Sequence, residues 1–134
     1  MPAVRSLLTA LVIALVLVLP ATKRARSQAL EPLVVGWEQY FTINWSVGER
    51  RGRPVVYGRI YNKWNFGAAN MRLLVEELDS GGRIVDQQLG WLGFALTPGT
   101  TAPFEIPVAH NTPNHRVRVF SWDWVQTDGR GWRF

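Results

Sequence analysis

Residues 70–89 read NMRLLVEELDSGGRIVDQQL, and the architecture unfolds from this stretch. Residues 70–78 carry Met71, Leu73, Leu74 and Val75 in a run that predicts a strand. Asp79-Ser80-Gly81-Gly82 is a tight-turn signal, because its glycines admit positive φ without steric cost. Residues 83–89 then pair back, completing a hairpin. The same grammar continues on both sides. Downstream, residues 90–100 form a loop holding Leu96-Thr97-Pro98-Gly99, a strand follows over 102–108, a turn over 110–114, and a last long strand over 115–127. Upstream, residues 63–69 (KWNFGAA) are a loop and residues 55–62 a strand, preceded by a charged turn over 48–53 that ends at Pro54. Residues 40–47 alternate strictly, with Phe41, Ile43, Trp45 and Val47 on one face, and Trp45 is expected in the core. A short piece at 33–35 brings the expected count to about seven strands. Short strands at even spacing without a helical stripe predict an antiparallel β-sandwich.

Composition agrees and excludes several function classes. The chain has 134 residues, enough for one domain, with 47% hydrophobic and 19% charged residues, which excludes wholesale disorder. It has no cysteine. That removes disulfides, thiolate zinc or iron–sulfur centres, a cysteine nucleophile and a lipid-modified N-terminal cysteine. The net charge of +5 suggests nucleic acid until the charges are located. Arg5, Lys23, Arg24 and Arg26 precede residue 30, whereas every acidic residue follows it, so the remainder is nearly neutral.

Residues 7–19 (LLTALVIALVLVL) form an uncharged apolar run after Arg5, closed by Pro20. Extended to Ala21 as a helix it spans roughly 22 Å, short of the ~30 Å hydrocarbon core. It therefore fits the apolar region of a signal peptide better than a permanent transmembrane helix. Ser27-Gln28-Ala29 puts small residues at the −3 and −1 positions, which predicts cleavage after Ala29 and a domain of residues 30–134. The basic cluster Lys23-Arg24-Ala25-Arg26 favours the cytoplasmic side, so an uncleaved anchor is the alternative, and only then is a membrane a partner. Export places the domain outside the cytoplasm, either secreted or periplasmic. The roughly 105 remaining residues suffice for a core without disulfides.

A family resemblance adds to this reading. Gly58-Arg59-Ile60-Tyr61-Asn62 is followed by a strand into Leu78-Asp79-Ser80-Gly81-Gly82-Arg83-Ile84-Val85, then by Leu96-Thr97-Pro98-Gly99 and Phe104. That order, over roughly residues 54–125, resembles the FxLYD-type domains, immunoglobulin-like β-sandwich modules of exported bacterial proteins. At the namesake motif the chain has Val75-Glu76-Glu77-Leu78-Asp79, which keeps only the final Asp, the residue that serves the turn. The resemblance implies a single immunoglobulin-like antiparallel β-sandwich, extracytoplasmic and non-catalytic. It transfers no functional residues.

Catalytic material is sparse. His110 and His115 are the two histidines, both at or beside the 110–114 turn, where solvent exposure is the expectation. A metal site built from them with Asp123 lacks helical spacing or a motif. Glu76, Glu77 and Asp79, with Asp86 across the turn, suggest calcium or a glycosidase pair, but the D-x-[DN]-x-[DN]-G loop is missing. Successive strand positions also point to opposite faces, so a solvated hairpin is expected. Neither a nucleophile elbow nor a phosphate-cradling glycine loop occurs. No enzyme, no cofactor and no metal is expected.

The seven tryptophans are the informative excess, and all follow residue 30. If each strand crosses the sandwich once, the loops at 63–69 and 90–100 share one end with the C-terminal tail. That end collects Trp64, Phe66, Trp91, Phe94, Trp132 and Phe134, the candidate ligand-binding residues. Two readings stand there: a hydrophobic plug over the open core, and a platform for a protein or cell-envelope partner, with a glycan as the alternative. On the last strand, Arg116, Arg118, Phe120, Trp122 and Trp124 share a face, a mixture seen in single-stranded nucleic-acid platforms. The near-neutral exported domain argues against nucleic acid; Val117 and Val119 are expected to face the core while these rings cover the outer sheet, with a bulge near Ser121 that turns Trp122 and Trp124 inward as the alternative.

Overall fold

A computed structural model describes residues 28–125 of the chain. The apolar leader, its basic cluster, Trp132 and Phe134 lie outside those residues. A 3-10 turn at Trp37–Gln39 precedes six strands: β1 (Phe41–Arg50), β2 (Arg53–Asn62), β3 (Gly67–Leu78), β4 (Ile84–Trp91), β5 (Thr101–Pro107) and β6 (Asn114–Val125). They form two three-stranded antiparallel sheets, ordered β1-β2-β5 and β4-β3-β6. The all-β sandwich is thus observed, with six strands among the described residues in place of about seven.

The missing strand is the piece at 33–35, which is bend and turn. Pro32 has no N–H to donate, and Gly36 at φ 83° diverts the chain into the 3-10 turn. Leu33 N–H still donates to Phe120 O at 2.9 Å, so the segment crosses the outer face of the β4-β3-β6 sheet without joining it. Gln87 pins the same segment, its Oε1 accepting from Leu30 N at 2.7 Å and its Nε2 donating to Leu30 O at 2.9 Å.

Local chemistry accounts for the hairpins. Asp79 Oδ1 accepts the N–H groups of Gly81 and Arg83, both at 2.9 Å, and Gly82 takes φ 78°. The charged turn narrows to Arg51 and Gly52, whose φ values of 54° and 74° are the positive pair that a two-residue primed hairpin requires. Strands β1 and β2 therefore pair all the way to Arg50 and Arg53.

Between the sheets, Phe41, Val56, Ile60, Met71, Leu73, Val75, Val117 and Val119 form the core, each nearly or wholly removed from water. Burial of such side chains contributes about 1.5–3 kcal/mol each. Gly90 on β4 permits the close approach of β5, since a Cβ there would stand 2.5 Å from Ile106 Cδ1. The opposite margin is looser. Trp45, expected in the core, lies on the edge strand β1 with 39% of its surface exposed. Its indole N–H donates to His115 O at 3.2 Å, closing the seam to β6 with a hydrogen bond instead of full burial.

Candidate functional site

Strand parity holds in the topology. The connections over residues 63–66 and 92–100 lie at one end of the sandwich, and the turns near 51, 80 and 110 lie at the other. At the first end, Asn62 is the fastening. It is fully buried; its Nδ2 donates to Phe66 O at 2.8 Å and to Leu96 O at 3.0 Å, while its Oδ1 accepts from Trp64 N at 2.9 Å. Ala68 and Leu96 bridge as a backbone pair, tying the β4–β5 loop to the start of β3.

On that frame an aromatic cluster assembles around Tyr40. Its ring meets Trp64 edge-on at 4.8 Å, Trp124 at 5.2 Å and Trp122 at 5.9 Å. Phe41 packs beneath, 4.9 Å from Trp122, and Phe66 reaches Trp124 at 6.2 Å. These edge-to-face arrangements match the electrostatic preference of aromatic pairs. Tyr40 is not a candidate in the sequence reading, and Trp122 and Trp124 enter there on the aromatic–basic face of the last strand, not at this end. Their arrival depends on register shifts between β3 and β6 around Arg72. The shifts turn β6 over between Phe120 and Trp122, so Trp122 and Trp124 pack against the core while Arg116 and Arg118 stay on the outer face. The single aromatic–basic face read from the sequence is thereby split.

The candidates separate accordingly. Trp64 and Phe66 belong to the cluster and keep 38% and 40% exposure, while Phe94, in the β4–β5 loop, keeps 51%. Trp91 is the last residue of β4, not a loop residue, because that strand pairs to Arg72 rather than stopping at Leu89. There the Arg72 guanidinium lies 5.3 Å from the Trp91 ring and 4.9 Å from Phe120, with Nε donating to Ser121 Oγ at 2.9 Å. Trp91 is the most exposed of the four, at 67%.

The carboxylates contradict the solvated hairpin: Glu76 and Glu77 are fully buried. They do point to opposite faces, as strand geometry demands. Glu76 accepts from Arg116 Nε at 2.9 Å, Arg118 Nε at 2.7 Å and Gln87 Nε2 at 3.1 Å. Burial alone would raise its carboxyl, but the hydrogen bonds and charges of the two guanidinium groups outweigh it and hold the group below the usual range. Glu77 meets His110, whose backbone N–H and Nδ1 lie 2.8 Å from its two oxygens. That hydrogen bond, strengthened by the nearby charges, raises His110 above its ordinary value. His110 is therefore a paired histidine as well as a half-exposed one. Asp123 accepts from Asn70 Nδ2 at 2.9 Å, where β6 pairs with the start of β3, far along the strand from His115. The set His110, His115 and Asp123 is not assembled. The opposite face of the β1-β2-β5 sheet carries an open depression of about 1080 Å³ lined by Arg50, Tyr57, Arg59 and Glu105.

Comparison with models of known families, with curated proteins and with solved structures finds no match.

Proposed function

We propose that this chain is an exported, non-catalytic binding module of the FxLYD type that contacts a protein or cell-envelope partner through its aromatic end. The observation that carries the reading is the partial exposure of rings that are held in place: Trp64, Phe66 and Phe94 keep 38–51% of their surface in water. The loops bearing them are anchored from beneath by buried Asn62. Ordered, half-exposed aromatics are the anchors that interfaces favour, since little entropy is lost when they are covered. The plug and the platform are then one structure, with inner ring faces closing the core and outer edges facing a partner.

A sugar-binding reading needs free polar groups beside a flat ring. Asn62 is spent on backbone, Asn70 on Asp123 and Thr97 on Thr100, which leaves Asn65. The polar supply favours a protein partner. The test is retention of the purified chain on immobilised cell-envelope protein, compared with Phe94→Ser and Trp64→Ala. Retention lost in both variants, with the fold intact by circular dichroism, supports the reading. Equal retention of all three proteins refutes it.

A further inference from the structure

We propose that Glu77, Asp86 and His110 form a site for a divalent transition-metal ion of the zinc class, at the end of the sandwich opposite the aromatic cluster. The three residues come from β3, β4 and the β5–β6 turn, and one donor atom from each lies within 4.8 Å of the other two. Glu77 and Asp86 are direct partners in the β3–β4 ladder, beside the register shift at Glu77/Leu78, so their side chains share a face. The distances from His110 Nδ1 are 2.8 Å to Glu77 Oε2 and 3.9 Å to Asp86 Oδ2. In a tetrahedral site with bonds of about 2.0–2.1 Å, neighbouring donors stand roughly 3.3–3.5 Å apart. The observed pair, 2.8 and 3.9 Å, brackets that spacing.

Charge supplies a second, independent reason. Two carboxylates are buried side by side on β3, and they are compensated differently. Glu76 faces two permanent cations, Arg116 and Arg118. Glu77, equally buried, has among the described residues no arginine or lysine partner, only a histidine. A buried carboxylate without a fixed counter-charge is costly, and a metal cation supplies what the side chains omit. The carboxylate is also oriented for it: the backbone N–H of His110 holds Oε1 at 2.8 Å, which leaves Oε2 turned toward the ring and Asp86. Entry is open, since the His110 side chain is 57% and that of Asp86 36% exposed.

One imidazole nitrogen with two carboxylate oxygens suits zinc, whereas calcium takes six to eight oxygens. Water completes the fourth position. On binding, a proton on Nδ1 leaves for solvent and the nitrogen lone pair takes its place on the metal.

The test uses the full chain, stripped with a chelator, titrated with Zn²⁺ in competition with a chromophoric chelator. One saturable equivalent is expected. Asp86→Asn and His110→Ala should each weaken it by about tenfold or more, whereas Asp79→Asn, at the turn, should leave it unchanged. Millimolar Ca²⁺ should not compete. In the unaltered chain the His110 imidazole resonances should shift with Zn²⁺, which needs no variant to fold. Absence of saturable binding overturns the proposal, as does wild-type affinity in Asp86→Asn and His110→Ala, or a shift confined to His115.

Discussion

Glu76→Gln tests the ion-paired network on the outer face of the β4-β3-β6 sheet. The substitution keeps size and one acceptor oxygen but removes the charge facing Arg116 and Arg118. Those two residues are not equivalent. The Arg116 side chain is 44% exposed and can rehydrate, so its share is on the order of 1 kcal/mol or less. The Arg118 side chain is 18% exposed, and its Nη2 is already buried without a partner. Its remaining contact, Glu31, is a surface carboxylate with 69% exposure. Leaving Arg118 uncompensated is the expensive part. Breaking a buried pair from one side costs about 3–5 kcal/mol, which for a domain this size lowers the melting temperature by on the order of 12–24 °C. The pH dependence carries a sign. The folded carboxyl is held below its ordinary value of 4.5, so its contribution is present above that pH. It is lost as pH falls through the folded value. Urea titrations at about pH 7 and about pH 3 should therefore separate wild type from Glu76→Gln more at the first than at the second. A loss below about 1 kcal/mol at neutral pH, or parallel acid slopes for the two proteins, refutes the network as a stabilising element.

Trp64→Ala should cost about 1–2 kcal/mol, less than a fully buried ring, because its 38% exposure leaves the Tyr40 contact as the main loss. A denaturant midpoint equal to wild type would mean that the ring does not close the core. Gly90→Ala should destabilise by about 1–3 kcal/mol through the clash with Ile106, and Ile106→Ala in the same chain should recover part of it in a double-mutant cycle. Additive losses would contradict the close approach of β4 and β5. His110 is raised above 6.5 by its hydrogen bond to Glu77, so with chelator present its contribution is complete below that pH and fades as pH rises through the folded value. His110→Ala should remove the stability difference between about pH 6 and about pH 8, and an unchanged difference would exclude this pair as its source.

The strands and turns were legible in the chain because their causes are local. Asp79 bonds amides two and four residues ahead of it, and Arg51-Gly52 supplies its own positive φ pair. Period-two alternation then divides faces, and counting crossings assigns loops to ends without further information. The rest depended on partners distant in sequence. A carboxylate in a strand has the same pattern whether it meets water or a guanidinium; Glu76 is buried because Arg116 and Arg118, 40 and 42 residues away, lie across from it. Glu77 is buried because the turn carrying His110, 33 residues away, folds over it. Trp122 and Trp124 face inward because β3 and β6 slip register near Arg72, a shift that exists only once the two strands pair. Residues 33–35 resemble a strand to a local reading, yet Gln87 at Leu30 and the β6 backbone at Leu33 hold the segment across a sheet face. Alternation and turn chemistry thus determined the all-β class, the hairpins and the end that gathers Trp64, Phe66 and Phe94. Pairing between distant strands decided which charges are buried, which rings reach the core and where Glu77, Asp86 and His110 meet, because burial is a property of what two segments exclude together.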